Sequence, residues 1–343
     1  MEKQGRADIG CYRPQTVGGI IMSQDIDIRE NELLRLFPDA FNEMLKDRTT
    51  EQNIFWACDS YKSRGKGYGF FESITVEKIT GKDNELVIRP RSVKQSEEQQ
   101  QRTKDKAEVF TPCWVCNAQN NLVDDAWFGA AGVFNNEFVD EDGIHRWTPT
   151  EGIIKFASNG AKTWKKYVSS TRMEITCGEA PYLVSRYDTT DGTPIPLEMR
   201  IGLLDRKLRV INERTKTEKS WKEQCINAIK SIYGYEWQGD NLLIARENIL
   251  YTIKDYYLSK FKETPDVEFM REAAVIVSWN IWQMDGLTFG LPGYTVKEQE
   301  DNPESLFSSE TYDDDFSPNE RLCRIMDWEK GETQTFKSLI SKK

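Results

Sequence analysis

From about residue 107 to about residue 290 the chain alternates helix-like apolar periodicity with short runs rich in β-branched and aromatic residues. That alternation restricts the fold more than any other feature. Strand following helix following strand builds βαβ units, in which the strands pair in parallel and the helices cover the sheet. The expected fold class is therefore α/β.

The preceding segment reads differently. Residues 1–25 are Gly-rich and weakly patterned, an irregular arm. Between residues 27 and 45, Leu33, Leu34, Leu36, Phe37, Phe41, Met44 and Leu45 recur at helical spacing and predict a helix or helix pair. Phe71, Ile74, Val76 and Ile79 alternate. With the turn at Gly81-Lys82-Asp83-Asn84 and the run Leu86-Val87-Ile88 they predict a β-hairpin. Residues 92–106 are almost wholly polar and read as a linker or exposed helix. The expected organisation is an N-terminal α+β extension over 1–100 and a main α/β domain over 101–343, with an acidic loop at about 294–320.

At 343 residues, 38% apolar and 30% charged, the composition is that of a folded chain. No run approaches the ~18 apolar residues of a membrane helix. Met1-Glu2-Lys3-Gln4 is no signal peptide, and seven scattered cysteines fit reduced thiols. These features predict a cytoplasmic protein. The net charge of -10 argues against a simple basic DNA-binder. The acids concentrate at residues 298–320, however, and basic clusters remain at Lys62, Arg64 and Lys66, at Arg89 and Arg91, at Lys162, Lys165 and Lys166, and at Arg206, Lys207 and Arg209. They permit DNA contact, although a charge run is ordinarily a solvated face.

Four segments carry the chemistry. Lys106-Ala107-Glu108-Val109-Phe110-Thr111-Pro112 leads into an apolar helical run, with Thr111 as the expected N-cap and Pro112 at the first position. Met173-Glu174-Ile175-Thr176-Cys177-Gly178-Glu179-Ala180 reads as a strand, a glycine turn and a following helix, a geometry that lets backbone N–H groups approach a ligand. Gly234-Tyr235-Glu236-Trp237 ends a strand in a carboxylate, suited to a ribose diol, and Asn241 to Leu250 continue as a helix. Ala274 to Leu287 read as a buried strand running into Asp285-Gly286, where an acid can accept from an adenine amine. Taken singly, each is equally an ordinary turn or a solvated strand end.

Taken in order, they resemble the γ-class N6-adenine-specific DNA methyltransferases, which include the modification subunits of restriction systems. That family places "G-E/Q-x-F-T-P" before a "D-P-A-C-G-x-G" loop, then a "G-x-E" strand with an "A-x-x-N-L" helix, then a strand ending in Asp. The corresponding stretches are Ala107 to Pro112, Glu174 to Ala180, Gly234-Tyr235-Glu236 with Ala245-Arg246-Glu247-Asn248-Ile249, and Ile281 to Asp285, together spanning about residues 102–336. The resemblance implies a Rossmann-like fold that binds S-adenosylmethionine (SAM). Phe110 and Thr111 would line the methionine end, and Glu174 with the Cys177-Gly178 loop would hold the amino-acid moiety. Glu236 would take the ribose, Asp285 the adenine amine, and Trp237 would offer a stacking surface.

Ala180 and Glu179 depart from the family loop and are expected to crowd it. Gly178 and Glu236 lie 58 residues apart, so the stretch 199–207 reads as an inserted strand or helix. The "N/D/S-P-P-Y/F/W" loop that accepts the target adenine has no counterpart, while Asp327-Trp328 and Phe336 to Leu339 match what stands just upstream of it. The expected function is thus the SAM-binding part of an adenine-specific DNA methyltransferase of a restriction–modification or phage-defence system, inactive alone. Its expected partners are DNA, a chain completing the active site, and a restriction or specificity subunit. No catalytic residue, metal or membrane contact is expected. Cys113-Trp114-Val115-Cys116 has no second pair for zinc, and Gly65-Lys66-Gly67-Tyr68-Gly69 lacks the ending of a phosphate loop. A non-catalytic methylase-like decoy and a small-molecule or RNA methyltransferase remain alternatives.

Overall fold

The computed structural model describes residues 30–94, 111–294 and 322–340, a mixed α/β chain. The first element is a helix pair, α1 (Glu30–Leu36) and α2 (Pro38–Met44). Pro38 ends one helix and starts the next, because its ring fixes φ and removes a donor that the first helical turn leaves unpaired anyway. Leu33, Phe37, Phe41 and Met44 are buried.

The hairpin expected over 70–88 is not formed. Ile74 N–H donates to the Ile54 carbonyl and Trp56 N–H to that of Glu72, so this segment pairs backwards, with residues 54–56. Val76–Ile79 is a single helical turn, α3, and the Asn84 side chain folds back onto the Glu77 carbonyl. Ile74 and Ile79 both reach the core, which produced the alternation without a second strand. The polar stretch after residue 92 is also not all exposed linker. Lys94 is buried, with Nζ 3.2 Å from Asp240 Oδ2. Residues 95–110 lie outside the described residues.

Next come α4 (Cys113–Phe128), the antiparallel hairpin β1 (Asn135–Val139) and β2 (His145–Pro149), and α5 (Trp164–Val168). Pro112, not Thr111, is the N-cap of α4, and its Cys113 N–H is capped from a distance by Asp188 at 3.0 Å. Then follow β3 (Arg172–Glu174), α6 (Leu203–Arg214), α7 (Glu218–Ile229) and β4 (Ile232–Glu236). The chain continues through α8 (Gly239–Phe261), α9 (Val267–Asn280) and β5 (Ile281–Gln283). A second hairpin, β6 (Arg324–Asp327) and β7 (Glu332–Thr335), leads into α10 (Phe336–Ile340).

The strands β3, β4 and β5 form a three-stranded parallel sheet in that order. Two expectations about its flanks fail. No helix directly follows the glycine turn after β3: a single 3-10 turn at Leu197–Met199 precedes α6 at Leu203, where the predicted insertion proves helical. Thr176, Gly178 and Ala180 all have positive φ (48°, 53° and 64°), and Pro181 has no N–H to give, so the loop cannot wind directly into a helix. The apolar run at 274–280 is helix, the end of α9, and only Ile281–Gln283 is strand. A fully buried run carries no periodicity that separates the two structures.

Side chains alternate across the sheet. Ile232 and Ile281 enter the larger core with α8, α9 and the helix pair. Tyr235 and Trp282 enter a second cluster with Phe55, Met284, Cys323, Ile325 and Phe336. The segment before residue 95 therefore contributes to both cores. From Gly239 to Ile253, α8 is buried on every side, as a helix through the centre of a core must be. Its Arg246 donates to carbonyls of Met44, Lys46, Ser278 and Ile281, tying α8 to the stretches 44–46 and 278–281.

The basic cluster at 206–209 is structural. Arg206 is 2% exposed and paired with Asp124 at 2.7 Å. Lys207 is fully buried on Ser170 and Ser231, and Arg209 is spent on the Phe134 and Thr150 carbonyls. None of the three presents its charge as a DNA-binding face. Among the described residues no helix is long and apolar enough to cross a membrane, and no group of three His, Cys, Asp or Glu is placed to hold a metal.

Candidate functional site

The carboxyl ends of β3, β4 and β5 lie side by side, and in open parallel sheets this is the edge where ligands bind. Three backbone and side-chain bonds cross it. Cys177 N–H donates to the Tyr235 carbonyl at 2.8 Å, Gly178 N–H to Glu236 Oε2 at 2.9 Å, and Met284 N–H to the Glu236 carbonyl at 3.0 Å. Cys177, Gly178, Glu236 and Asp285, separated by more than one hundred residues in the chain, are thereby brought together.

Each of the three acids also holds its own loop. Glu174 accepts from Tyr182 N–H (3.3 Å) and Leu183 N–H (3.1 Å). Glu236 accepts from Gly178 and, at 3.1 Å, from Gln238 N–H. Asp285 accepts from Leu287 N–H and the Thr288 hydroxyl, an Asx turn that fixes the carboxylate just beyond β5. Burial pushes the Glu174 carboxyl well above the usual carboxylate range, against the pull of its two N–H donors, and the Glu236 charge pushes it further. Burial, then Glu174 and Glu236, push the Cys177 thiol up, which removes it as a nucleophile.

Thr111 reaches the same loop through Tyr182, whose phenol is hydrogen-bonded to it. Phe110 lies outside the described residues. The Trp237 indole donates to the Ala57 carbonyl at 3.0 Å and packs edge-on against Phe70, so its ring belongs to the second cluster. Glu179 does not crowd the ligand side of the loop. It is fully buried, accepting from Arg91 N–H and the Tyr187 hydroxyl, while Asn248 of the predicted helix donates to the Glu179 carbonyl at 3.0 Å.

No family model, curated protein or solved structure matches this chain.

Sequence reasoning missed the strap across this edge. Phe55 exchanges two bonds with the Gln283 side chain (3.1 and 2.8 Å), and Gly239 N–H donates to the Trp56 carbonyl. A Cβ on Gly239 would lie 2.1 Å from the Phe55 oxygen, so only glycine lets the strap press on the start of α8. The one available signal was Gln283, a lone amide in an apolar strand. The arrangement offers, at one edge, a strained backbone loop, a carboxylate at the second strand tip and another at the third.

Proposed function

We propose that this edge binds S-adenosylmethionine, and that the chain is the cofactor-binding part of an adenine-specific DNA methyltransferase of a restriction–modification or phage-defence system. On this reading the three parallel strands are the first half of a Rossmann-like sheet. The observation that carries it is the bond between the Gly178 amide and the Glu236 carboxylate, which joins the glycine loop of one strand to the acidic tip of its neighbour.

The chemistry follows from position. A carboxylate at the second strand tip accepts from the ribose diol, and its two backbone donors hold it in orientation. Asp285 uses one lone pair for Leu287 and one for Thr288, leaving others for the adenine amine. Thr176, a β-branched residue at φ 48°, and Ala180 at φ 64° hold strain of the kind that collects at ligand loops. The sequence contains no Asn-Pro-Pro-aromatic run. On this reading a partner chain is proposed to supply the group that accepts the target amine, with DNA bound across both.

Photo-cross-linking with labelled SAM, followed by peptide mapping, tests the assignment. Label in the loops after β3, β4 and β5 supports it, and label elsewhere contradicts it.

Two observations favour a second reading. The strap of residues 53–57 lies over the ends of β4 and β5, and the glycine loop lacks a following helix to set its dipole on an anion. A chain that binds no SAM would serve as a non-catalytic methylase-like partner or decoy of a restriction complex. Competition with DNA for such a complex distinguishes it.

A further inference from the structure

From Gly152 to Met173 the chain carries Lys155, Lys162, Lys165, Lys166 and Arg172 and no acid, within a protein of net charge -10. The four lysines are exposed. So is Arg214 at the end of α6, whose guanidinium donates to the Ile154 carbonyl. Among the described residues none of these five exposed cations makes an ion pair. Glu213, the acid beside Arg214, is taken by Arg209 at 3.0 Å and by the Ile154 N–H at 2.9 Å.

The footing of these charges is fixed by packing. Ile154, Tyr167 and Val168 are buried, and the Phe156 ring packs 5.2 Å from Phe128 and 5.7 Å from Tyr167. Ala157 N–H donates to the Lys162 carbonyl at 3.2 Å, tying the stretch that carries Lys155 to the one that carries Lys162. Lys162 Nζ lies 4.8 Å over the Trp127 ring, Lys165 Nζ 5.8 Å over Trp164, and the Arg214 guanidinium 5.6 Å over Phe156. A cation already held over a ring has fewer rotamers to lose when an anion arrives. The exposed run at Lys62, Arg64 and Lys66 differs, because it shares its part of the chain with Asp59, Glu72 and Glu77.

We propose that this face binds the phosphate backbone of duplex DNA without reading its sequence. Five like charges with no acid among them repel one another, and a row of phosphates relieves that repulsion while releasing condensed counterions. Trp127 and Trp164 are partly buried against the core and carry lysines on their rings, so they offer no bare platform for unstacked bases. That favours a duplex over a single strand. The chain passes from α5 into the amino end of β3, whereas the candidate cofactor edge lies at the carboxyl ends of the strands. The contact is therefore separate from the cofactor reading and stands or falls without it.

Fluorescence anisotropy of a labelled DNA duplex of arbitrary sequence, titrated with the full chain, tests it. Binding is expected at about 50 mM salt, with log affinity falling against log salt at a slope of roughly -3.5 to -4.5, as four or five phosphate contacts require. Lys165→Gln with Lys166→Gln should flatten that slope by about 2 and weaken binding about tenfold or more. Adding Lys155→Gln and Lys162→Gln should abolish it, while thermal melts stay native because all four positions are exposed. Lys62→Gln with Lys66→Gln removes as much charge elsewhere and should leave binding intact. No binding by the native chain, equal loss from the two pairs, or tighter binding to phosphatidylserine vesicles than to the duplex overturns the proposal.

Discussion

The Gly178 amide donates to the Glu236 carboxylate at 2.9 Å, closing the loop after β3 onto the tip of β4 across 58 residues of chain. With Glu236 only 7% exposed, removing its carboxylate strands the Gly178 and Gln238 N–H groups. Glu236→Ala is expected to cost about 2–4 kcal/mol, and Glu236→Gln, which keeps one acceptor, less than half of that. Urea unfolding of the two variants checks the order. Equal stability of Glu236→Ala and the native chain would remove this bond from the account.

Strain in the same loop predicts a gain. Thr176 is exposed, β-branched and at φ 48°, so its side chain contributes little burial against a backbone cost of order 1–3 kcal/mol. Thr176→Gly is expected to raise stability by about 1 kcal/mol after the entropy that glycine adds to the unfolded chain. Ala180→Gly gains less, because Ala180 is fully buried and its methyl is worth ~0.8 kcal/mol. Thermal melts of both variants should rank them in that order.

A buried ion pair ties Lys94 to the first turn of α8. Lys94 Nζ lies 3.2 Å from Asp240 Oδ2, Tyr61 donates to the same oxygen at 2.7 Å, and both charged side chains are 1% exposed or less. Lys94→Met removes the cation that faces the Asp240 carboxyl in the core, and a loss of about 3–5 kcal/mol follows. The double variant Lys94→Met with Asp240→Leu should recover most of it. Chemical denaturation reads both.

A buried acid pair gives a pH dependence. Burial pushes the Glu30 carboxyl up to about 8, with the Glu85 charge adding to the rise, and Glu247 faces it from α8 with both oxygens unpaired. The folded chain then holds a proton that the unfolded chain releases near pH 4.5, so stability falls as pH rises from about 4.5 to 8. Glu30→Gln removes the share of this slope that Glu30 contributes. The variant should melt higher than the native chain at pH 8 and equally at pH 4.5, and a gap that is widest at pH 4.5 would contradict the sign.

Much of the strand and helix order was legible because its signals are local. Gly234-Tyr235-Glu236 gave a strand ending in an acid, and Asn241 to Leu250 a helix. What failed depended on distant partners. Ile74 alternates with its neighbours yet pairs with Ile54, and 274–280 is apolar on every side because a helix there is wholly enclosed. Arg206 and Lys207 looked like surface charge, since sequence does not show that Asp124 and Ser231 meet them inside. At the candidate site Glu236 and Asp285 were named by their strand-end positions. The strap of Phe55 over Gln283, 228 residues apart, had no local signature.

Calorimetric titration of SAM into the native chain and into Asp285→Asn tests whether the sheet edge takes up the cofactor. The substitution keeps an oxygen for Leu287 N–H and a polar contact for Thr288, so the turn survives while the amide replaces an acceptor with a donor. One-to-one SAM binding by the native chain is expected, weakened about tenfold or more in Asp285→Asn. A folded native chain that takes up no SAM would contradict it.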